Sequence, residues 1–269
     1  MRERRILKRI RLCVVRLMSQ GTWENSMTGK DAAIPIAYPD YLITVDTPRV
    51  DFNLPHLPRG IDLFPSAIHI KGTHNKVPDL GHAGILFFSG TSGTTKYYEY
   101  GRYDIAQVGL TRRVPMPNLK IVRGTGRPTR ESFQNCVSRI SQMAGQHGRI
   151  EGAYIELPAG KFAAMLAFCQ KCVGQNSDPQ RQPYSLTSHS CVHFAKEVLE
   201  AAGVSTPLMI DPRPIGYVEK LQGSFPAVTY RNKSLSLSGI ALPSAKPLIR
   251  HADPHRPPGK SRDVQFEGR

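Results

Sequence analysis

Residues 188–195 read Ser-His-Ser-Cys-Val-His-Phe-Ala, and they begin a predicted helix that runs from about Ser190 to Ala202. Cys191 lies in the first turn of this helix, where unsatisfied backbone N–H groups stabilise a thiolate and can bind the oxyanion of a tetrahedral intermediate. The positions that share a helical face with Cys191 are apolar: Ala195, Val198 and Ala202. We therefore expect the thiol to lie against a β-sheet, and Cys191 is the candidate nucleophile.

The candidate base is His82, which lies near the start of residues 81–88 (GHAGILFF). This composition is typical of a buried β-strand, and the small residues around His82 leave room for an imidazole. Residues 96–103 (KYYEYGRY) predict a second strand, and residues 89–95 between them have the composition of a turn. The two strands are therefore predicted to form a hairpin.

The register of this hairpin decides which side chain accompanies His82. A turn near Gly90–Thr91 places Glu99 opposite His82, where a carboxylate would fix the imidazole tautomer and stabilise the imidazolium. A register shifted by one residue would place Tyr98 or Tyr100 there instead. Glu99 is the candidate acid of a Cys-His-acid set.

The order of these motifs carries a resemblance to a known family. The sequence GHAGI at 81–85, followed far downstream by SCVHFA at 190–195, resembles the circularly permuted branch of the NlpC/P60 papain-like superfamily. This branch includes lecithin:retinol acyltransferase-like proteins, and the YYEYGRYD strand at 97–104 is similar to bacterial members that act as type VI secretion effectors. The resemblance covers about residues 80–205 and implies His82 as base and Cys191 as nucleophile, whereas the third residue varies within the family.

The fold class that follows is α+β, a permuted papain-like core in which an antiparallel sheet packs against helices. Two more helices are predicted at 128–143 and 160–173, and two more strands at 119–122 and 153–157. The predicted segments are a basic leader at 1–26, with Met18 or Met27 as an alternative start; an irregular proline-rich arm at 28–80, with short strands at Tyr41–Val45 and Ala67–Lys71; a catalytic papain-like domain at 81–231; and a disordered basic tail at 241–269.

The charge distribution argues against a nucleic-acid-binding protein. The formal net charge is +15, but residues 1–20 contribute +6 and residues 241–269 contribute +3, so the folded body is only mildly basic. No run of about 18 apolar residues is present, which excludes an integral membrane protein. Five cysteines are an odd number and do not indicate a disulfide framework. The leader lacks the unbroken apolar region of a signal peptide.

Several other motifs favour a structural role over chemistry. His193 lies about 200° around the helix from Cys191, so it is predicted to be structural. His189 could line a cleft but has no assigned task. Cys169 and Cys172 form a C-x-x-C pair inside a predicted helix without a second pair, which argues against zinc or redox function. Residues 90–93 lack the sequence that a phosphate-binding loop needs. We expect no cofactor and no metal.

Three functions remain open from the sequence. The resemblance implies a cysteine hydrolase that forms an acyl-enzyme and cleaves peptide or amide bonds of peptidoglycan. The second hypothesis is a phospholipase or acyltransferase that acts on glycerolipid esters, and the third is a non-catalytic binding module. The expected partners are an envelope substrate, a secretion-machine carrier and an immunity protein. Synthesis is expected in the bacterial cytoplasm without a signal peptide, followed by injection into a target cell envelope.

Overall fold

The computed structural model describes residues 29–45, 50–53, 67–70, 75–77, 81–104, 108–209 and 211–244. The predicted leader at 1–26 and most of the predicted tail lie outside these residues. The strands, in chain order, are β1 (Asp31–Tyr38), β2 (Ile43–Val45), β3 (Val50–Asn53), β4 (Ala67–Ile70), β5 (Asn75–Val77), β6 (His82–Phe88), β7 (Thr95–Gly101), β8 (Leu110–Val114), β9 (Ile150–Ala153), β10 (Ile155–Leu157), β11 (Ala227–Arg231) and β12 (Ser234–Ser238). The helices are α1 (Arg130–Met143), α2 (Lys161–Gly174), α3 (Cys191–Ala201) and α4 (Pro214–Gln222).

One antiparallel sheet organises the chain. Its strand order is β12-β11-β9-β1-β6-β7-β8, and β10 also pairs with β1. The short strands β2 and β5 form one separate pair, and β3 and β4 form another. The hairpin of β6 and β7 and the three predicted helices are present, so the α+β class with an antiparallel sheet packed against helices is confirmed.

The predicted irregular arm at 28–80 is wrong for its first part. Strand β1, at Asp31–Tyr38, is buried along its whole length and lies in the middle of the sheet between β6 and β9. Because both faces of this strand are covered, its sequence shows no alternation, and Pro35 argued further against a central strand. The neighbouring strands β9 and β10 are interrupted beside Pro35, at Tyr154, whose backbone N–H donates to Pro226 instead.

Helices cover both faces of the sheet. Helix α1 packs on one face, through Phe133, Val137 and Ile140, against a cluster that includes side chains of β1 and β6. Helices α2, α3 and α4 cover the other face, which holds the alternate side chains of the same strands. Cys191 belongs to this second cluster, together with the apolar side chains expected on its face: Ala195, Val198 and Ala202.

Capping residues mark the ends of two of the predicted helices. Thr129 caps α1 by accepting a hydrogen bond from the backbone N–H of Ser132, and Ser190 is the N-cap of α3. Gly203 follows α3 with a positive φ of 81°, a conformation that glycine adopts without strain.

Other predicted boundaries need correction. Residues 119–122 are not a strand, because Ile121 makes only an isolated pairing with Pro128. The domain also extends past 231: β12 completes the sheet edge, Leu242 is buried, and the carbonyl of Pro243 accepts a hydrogen bond from the backbone of Arg130. The predicted disordered tail therefore starts too early at 241. Strands β1, β3, β5, β8, β11 and β12, most of β9 and helix α4 were not predicted.

Candidate active site

The three candidate residues meet at the end of the sheet where β6 begins. His82 is the first residue of β6 and Cys191 is the first residue of α3, while Glu99 lies within β7. The His82 Nε2 atom lies 3.2 Å from Glu99 Oε2. Relative exposures of 5% for His82, 0% for Glu99 and 3% for Cys191 mean that all three are shielded from water. The structure thus brings the sequence-predicted site residues together.

The predicted hairpin register is wrong by two residues. Glu99 pairs with Gly84, and Phe88 pairs with Thr95 across a six-residue connection. Because side chains alternate between faces with a period of two, a shift of two residues keeps His82 and Glu99 on the same face. The two side chains therefore meet diagonally instead of directly across the hairpin, and Tyr98 and Tyr100 point to the opposite face.

Glu99 is held by three strands. Its Oε2 atom accepts a hydrogen bond of 3.0 Å from the Tyr97 hydroxyl, and its Oε1 atom forms an ion pair with Arg112 of β8. Tyr97 is in turn hydrogen-bonded to the hydroxyl of Tyr38 on β1. Burial alone would raise the pKa of Glu99, but its interactions with His82 and Arg112 outweigh burial and hold the pKa below its usual value. The carboxylate is therefore charged and fixed in one orientation.

Gly84 explains how Tyr97 reaches Glu99. A Cβ atom built on Gly84 would lie only 2.0 Å from the Tyr97 hydroxyl oxygen, so the tyrosine crosses β6 in space that only glycine leaves open. Gly84 is thus part of the support of Glu99.

Two tyrosine rings lie beside His82. Its ring stacks on Tyr38 with centroids 6.0 Å apart and lies 5.0 Å from the ring of Tyr41. Burial lowers the pKa of His82, but hydrogen bonding and charge interactions with Cys191 and Glu99 outweigh it and raise the pKa to about 9. The interactions with Cys191 and Glu99 therefore favour the imidazolium form of His82.

The start of α3 fixes the position of Cys191. Ser190 and His193 form a reciprocal cap, in which the Ser190 hydroxyl lies 2.9 Å from His193 Nδ1 and the Ser190 backbone N–H donates to the same atom. This capping contact agrees with the structural role predicted for His193. The Tyr184 hydroxyl lies 4.0 Å from Cys191 Sγ and forms one wall beside the thiol. The first hydrogen bond within α3 runs from the backbone N–H of Phe194 to the carbonyl of Ser190. The backbone N–H groups before Phe194 therefore have no acceptor within the helix.

His189 and Cys169, which the sequence also singled out, make packing contacts. The His189 ring lies 4.8 Å from that of Tyr100, and Cys169 is buried within α2. Among the residues that the structure describes, no group of three or more His, Cys, Asp or Glu side chains could hold a metal ion. No helix in the same residues is long and apolar enough to cross a membrane.

Sequence reasoning missed five supporting side chains: Tyr38, Tyr97, Tyr103, Arg112 and Tyr184. The tyrosine-rich composition of β7 was visible, but its alternation assigns only Tyr97 to the face of Glu99. Arg112 belongs to β8, which was not predicted, and Tyr38 belongs to the unrecognised central strand. These contacts depend on strand order, which no local motif encodes.

A cysteine at a helix start, a histidine at a strand start and an acid on the neighbouring strand form a papain-like arrangement. Comparison with known families agrees: the model of the TseH-like type VI secretion system effectors matches residues 33–206. This match covers more than half of the chain, so the chain belongs to that family. The resemblance drawn from the sequence, to permuted NlpC/P60 enzymes and type VI effectors, is confirmed.

A solved structure gives the same result. The crystal structure of the type VI secretion system effector TseH is similar to this chain with a TM-score of 0.61 and 28% sequence identity, over 78% of this chain and 98% of that chain. No curated protein sequence matches the chain. The chain is therefore a type VI secretion effector, a class of protein that is secreted into target cells.

Proposed function

We propose that this effector is a cysteine hydrolase in which Cys191 is the nucleophile, His82 the general base and acid, and Glu99 the residue that orients His82. The observation that carries the proposal is the meeting of a buried histidine, a fully buried carboxylate and a helix-start cysteine at one end of the sheet. Titratable groups whose pKa values are shifted by one another cluster at functional sites, so the raised pKa of His82 and the lowered pKa of Glu99 favour chemistry over a packing role.

The proposed reaction starts with proton transfer from the thiol. The Nε2 atom of His82 faces Glu99, which leaves Nδ1 to take the proton of Cys191. The thiolate attacks the carbonyl carbon of the substrate, and the first backbone N–H groups of α3 stabilise the resulting oxyanion. The imidazolium then returns the proton to the leaving nitrogen or oxygen, whose bond to the carbonyl carbon breaks, and an acyl-enzyme remains.

Water completes the proposed cycle. His82 removes a proton from a water molecule, and the hydroxide attacks the thioester carbonyl. The carbon–sulfur bond breaks, the acid product leaves, and the proton returns to the thiol. Glu99 stabilises the imidazolium in both half-reactions without itself taking a proton. No step requires a metal or a cofactor.

The proposed substrate is a peptide or amide bond of peptidoglycan in the envelope of the target cell. Delivery by the secretion machine supplies access to that envelope, and a producing cell would need an immunity protein against such an enzyme. The second candidate substrate is a membrane glycerolipid ester, cleaved by the same acyl-enzyme steps. Seven basic residues among residues 1–20 favour contact with anionic lipid and keep this candidate open.

Product analysis tests the proposal and separates the two substrates. Purified peptidoglycan and, separately, glycerophospholipid vesicles are incubated with the full chain, and the products are identified by mass spectrometry. Cys191→Ala is the inactive comparison, and Cys136→Ala is the matched control, because Cys136 is buried on α1 beyond the opposite face of the sheet. New muropeptides that depend on Cys191 alone are expected.

Each other outcome has a defined meaning. Lysolipid and free fatty acid that depend on Cys191 would move the function to the lipid candidate. Products from the Cys191→Ala protein would reject Cys191 as the nucleophile. No product from either substrate would favour a non-catalytic binding module, the third function that the sequence left open.

A further inference from the structure

The shorter of two polar contacts at the Nε2 atom of His82 is with a tyrosine that the proposed catalytic set does not contain. The Tyr103 hydroxyl lies 2.7 Å from His82 Nε2, whereas Glu99 Oε2 lies 3.2 Å from the same atom. The two rings meet edge to face, with centroids 6.1 Å apart. A site that used only Glu99 to orient His82 would not need this contact.

The chain holds Tyr103 in place from two sides. Its backbone N–H donates to the carbonyl of Gly101, so the chain bends back at the end of β7. A Cβ atom built on Gly101 would lie 2.9 Å from the Tyr103 ring, which therefore packs directly on the glycine backbone. On the ring's face, the Arg112 guanidinium lies 3.9 Å from the centroid, a cation–π distance. Arg112 thus contacts both Tyr103 and Glu99.

The number of hydrogens on His82, Glu99 and Tyr103 decides which group donates in each contact. The Nε2 atom of His82 carries at most one hydrogen, but two oxygen atoms face it. Burial and the charge of Glu99 raise the pKa of Tyr103 far above its usual value, so its hydroxyl keeps its hydrogen. The ionised carboxylate of Glu99 has no hydrogen to donate, so the Nε2 atom that faces it carries the hydrogen of their contact. The tyrosine oxygen is then free to accept from His82.

We propose that Tyr103 is a positioning residue, which accepts a hydrogen bond from the Nε2–H of His82. The histidine is thereby held in the tautomer that carries its hydrogen on Nε2 and keeps a lone pair on Nδ1 for the thiol proton. The inference rests on the proposed function, since the Nδ1 lone pair matters only if Cys191 is deprotonated there. The opposite arrangement, with Tyr103 donating to Nε2, would place the hydrogen on Nδ1 and leave no base.

Several other groups face His82 and bear on its titration. They are Tyr38 and Tyr41 beside its ring, Glu99 on β7, Cys191 at the start of α3, and Arg112 behind the carboxylate. Tyr103→Phe leaves all of these in place and keeps the ring on which Arg112 packs. This substitution therefore removes one hydroxyl and nothing else from the surroundings of the histidine.

The test is a nuclear magnetic resonance titration of His82 in the full chain. The ¹⁵N shifts of the ring report which nitrogen carries the hydrogen, and the pH dependence of the ring signals gives the pKa. His82→Gln assigns the signals. In the unmodified protein, the neutral ring is expected with its hydrogen on Nε2. A hydrogen on Nδ1 would overturn the proposal, and this reading does not depend on the folding of any variant.

The sign of the change in Tyr103→Phe gives an independent reading. An accepting hydroxyl stabilises imidazolium more than imidazole, so its removal should lower the pKa of His82. A donating hydroxyl stabilises the neutral ring, so its removal would raise that pKa, and an upward shift or no shift would refute the proposal. Tyr98→Phe is the matched control, because this tyrosine of β7 contacts the other face of the sheet and should leave the titration unchanged.

Turnover separates this inference from the proposed function. Loss of one hydrogen bond to a charged group should lower the turnover of Tyr103→Phe by about 10- to 100-fold. If the unmodified protein cleaves neither peptidoglycan nor lipid, the proposed function fails, yet the titration still reports the Tyr103 contact. If the protein is active and Tyr103→Phe is equally active with an unchanged titration, only the role of Tyr103 is lost.

Discussion

Replacing Glu99 with glutamine removes the charge behind His82 and keeps the size of the side chain. The carboxylate meets hydrogen-bond donors on both oxygens: Oε1 meets Arg112, and Oε2 meets His82 and the Tyr97 hydroxyl. A glutamine offers one oxygen and one NH₂ group, so in either orientation a donor faces a donor. The amide therefore cannot reproduce the contacts of the acid.

The size of the effect follows from those contacts. A hydrogen bond to a charged group contributes about 1.5–3 kcal/mol, which corresponds to a fall in turnover of roughly 10- to 150-fold. A buried triad acid elsewhere contributes up to about 10⁴-fold. We expect the lower range here, because the contact between Glu99 and His82 is 3.2 Å long and Tyr103 shares the same nitrogen. The pKa of His82 should also fall from its value of about 9.

The assay is turnover of the substrate identified by product analysis, measured beside the titration of His82. Glu156→Gln is the matched control, because Glu156 lies on β10 and its ion pair, at 2.7 Å, is with Arg127 and not with a residue of the site. This substitution should leave turnover and the pKa of His82 unchanged. If Glu99→Gln retains full turnover and the pKa of His82 does not move, then Glu99 does not orient the base and the reasoning is refuted.

His82→Ala should lower turnover at pH 7 by about 10²- to 10⁴-fold and recover part of it at pH 9, where a lone thiol ionises; full turnover at pH 7 would reject the base. Because the pKa of His82 is raised from 6.5 to about 9, the protonated ring stabilises the fold fully below pH 6.5, and this contribution is lost as the pH rises towards 9. The free energy of unfolding measured in urea should show that loss in the unmodified protein but not in His82→Ala. Gly84→Ala should displace the Tyr97 hydroxyl, lowering both the melting temperature and turnover; an unchanged melting temperature would contradict the packing described. Deleting residues 245–269 should leave the melting temperature unchanged, whereas ending the chain before Leu242 should lower it, because that side chain is buried.

The site could be predicted from the sequence because its signals are local. A cysteine after a helix cap and a histidine among small residues at a strand start are both readable from a few neighbouring letters. Glu99 was reached from an incorrect register, and it still lies beside His82 because an error of two preserves the face. An error of one would have selected a tyrosine on the opposite face.

The parts that could not be predicted depend on long-range pairing. Strand β1 is buried on both faces and contains Pro35, so neither alternation nor composition distinguishes it from a loop. Its Tyr38 reaches Tyr97 across a separation of 59 residues, and Arg112 reaches Glu99 from a strand that lacks an apolar pattern. The support of the acid is therefore a product of strand order, which becomes visible only in the assembled sheet.

The central claim is that Cys191 carries the acyl group during turnover, and trapping that intermediate tests it most directly. The protein is mixed with its substrate, quenched with acid within the first turnover, digested, and analysed by mass spectrometry for acyl groups on each cysteine. We predict a thioester on the peptide that contains Cys191, more abundant at early times, and neither adduct nor turnover in Cys191→Ala. Unchanged turnover in Cys191→Ala, or an adduct on another cysteine that persists in that variant, would contradict the account.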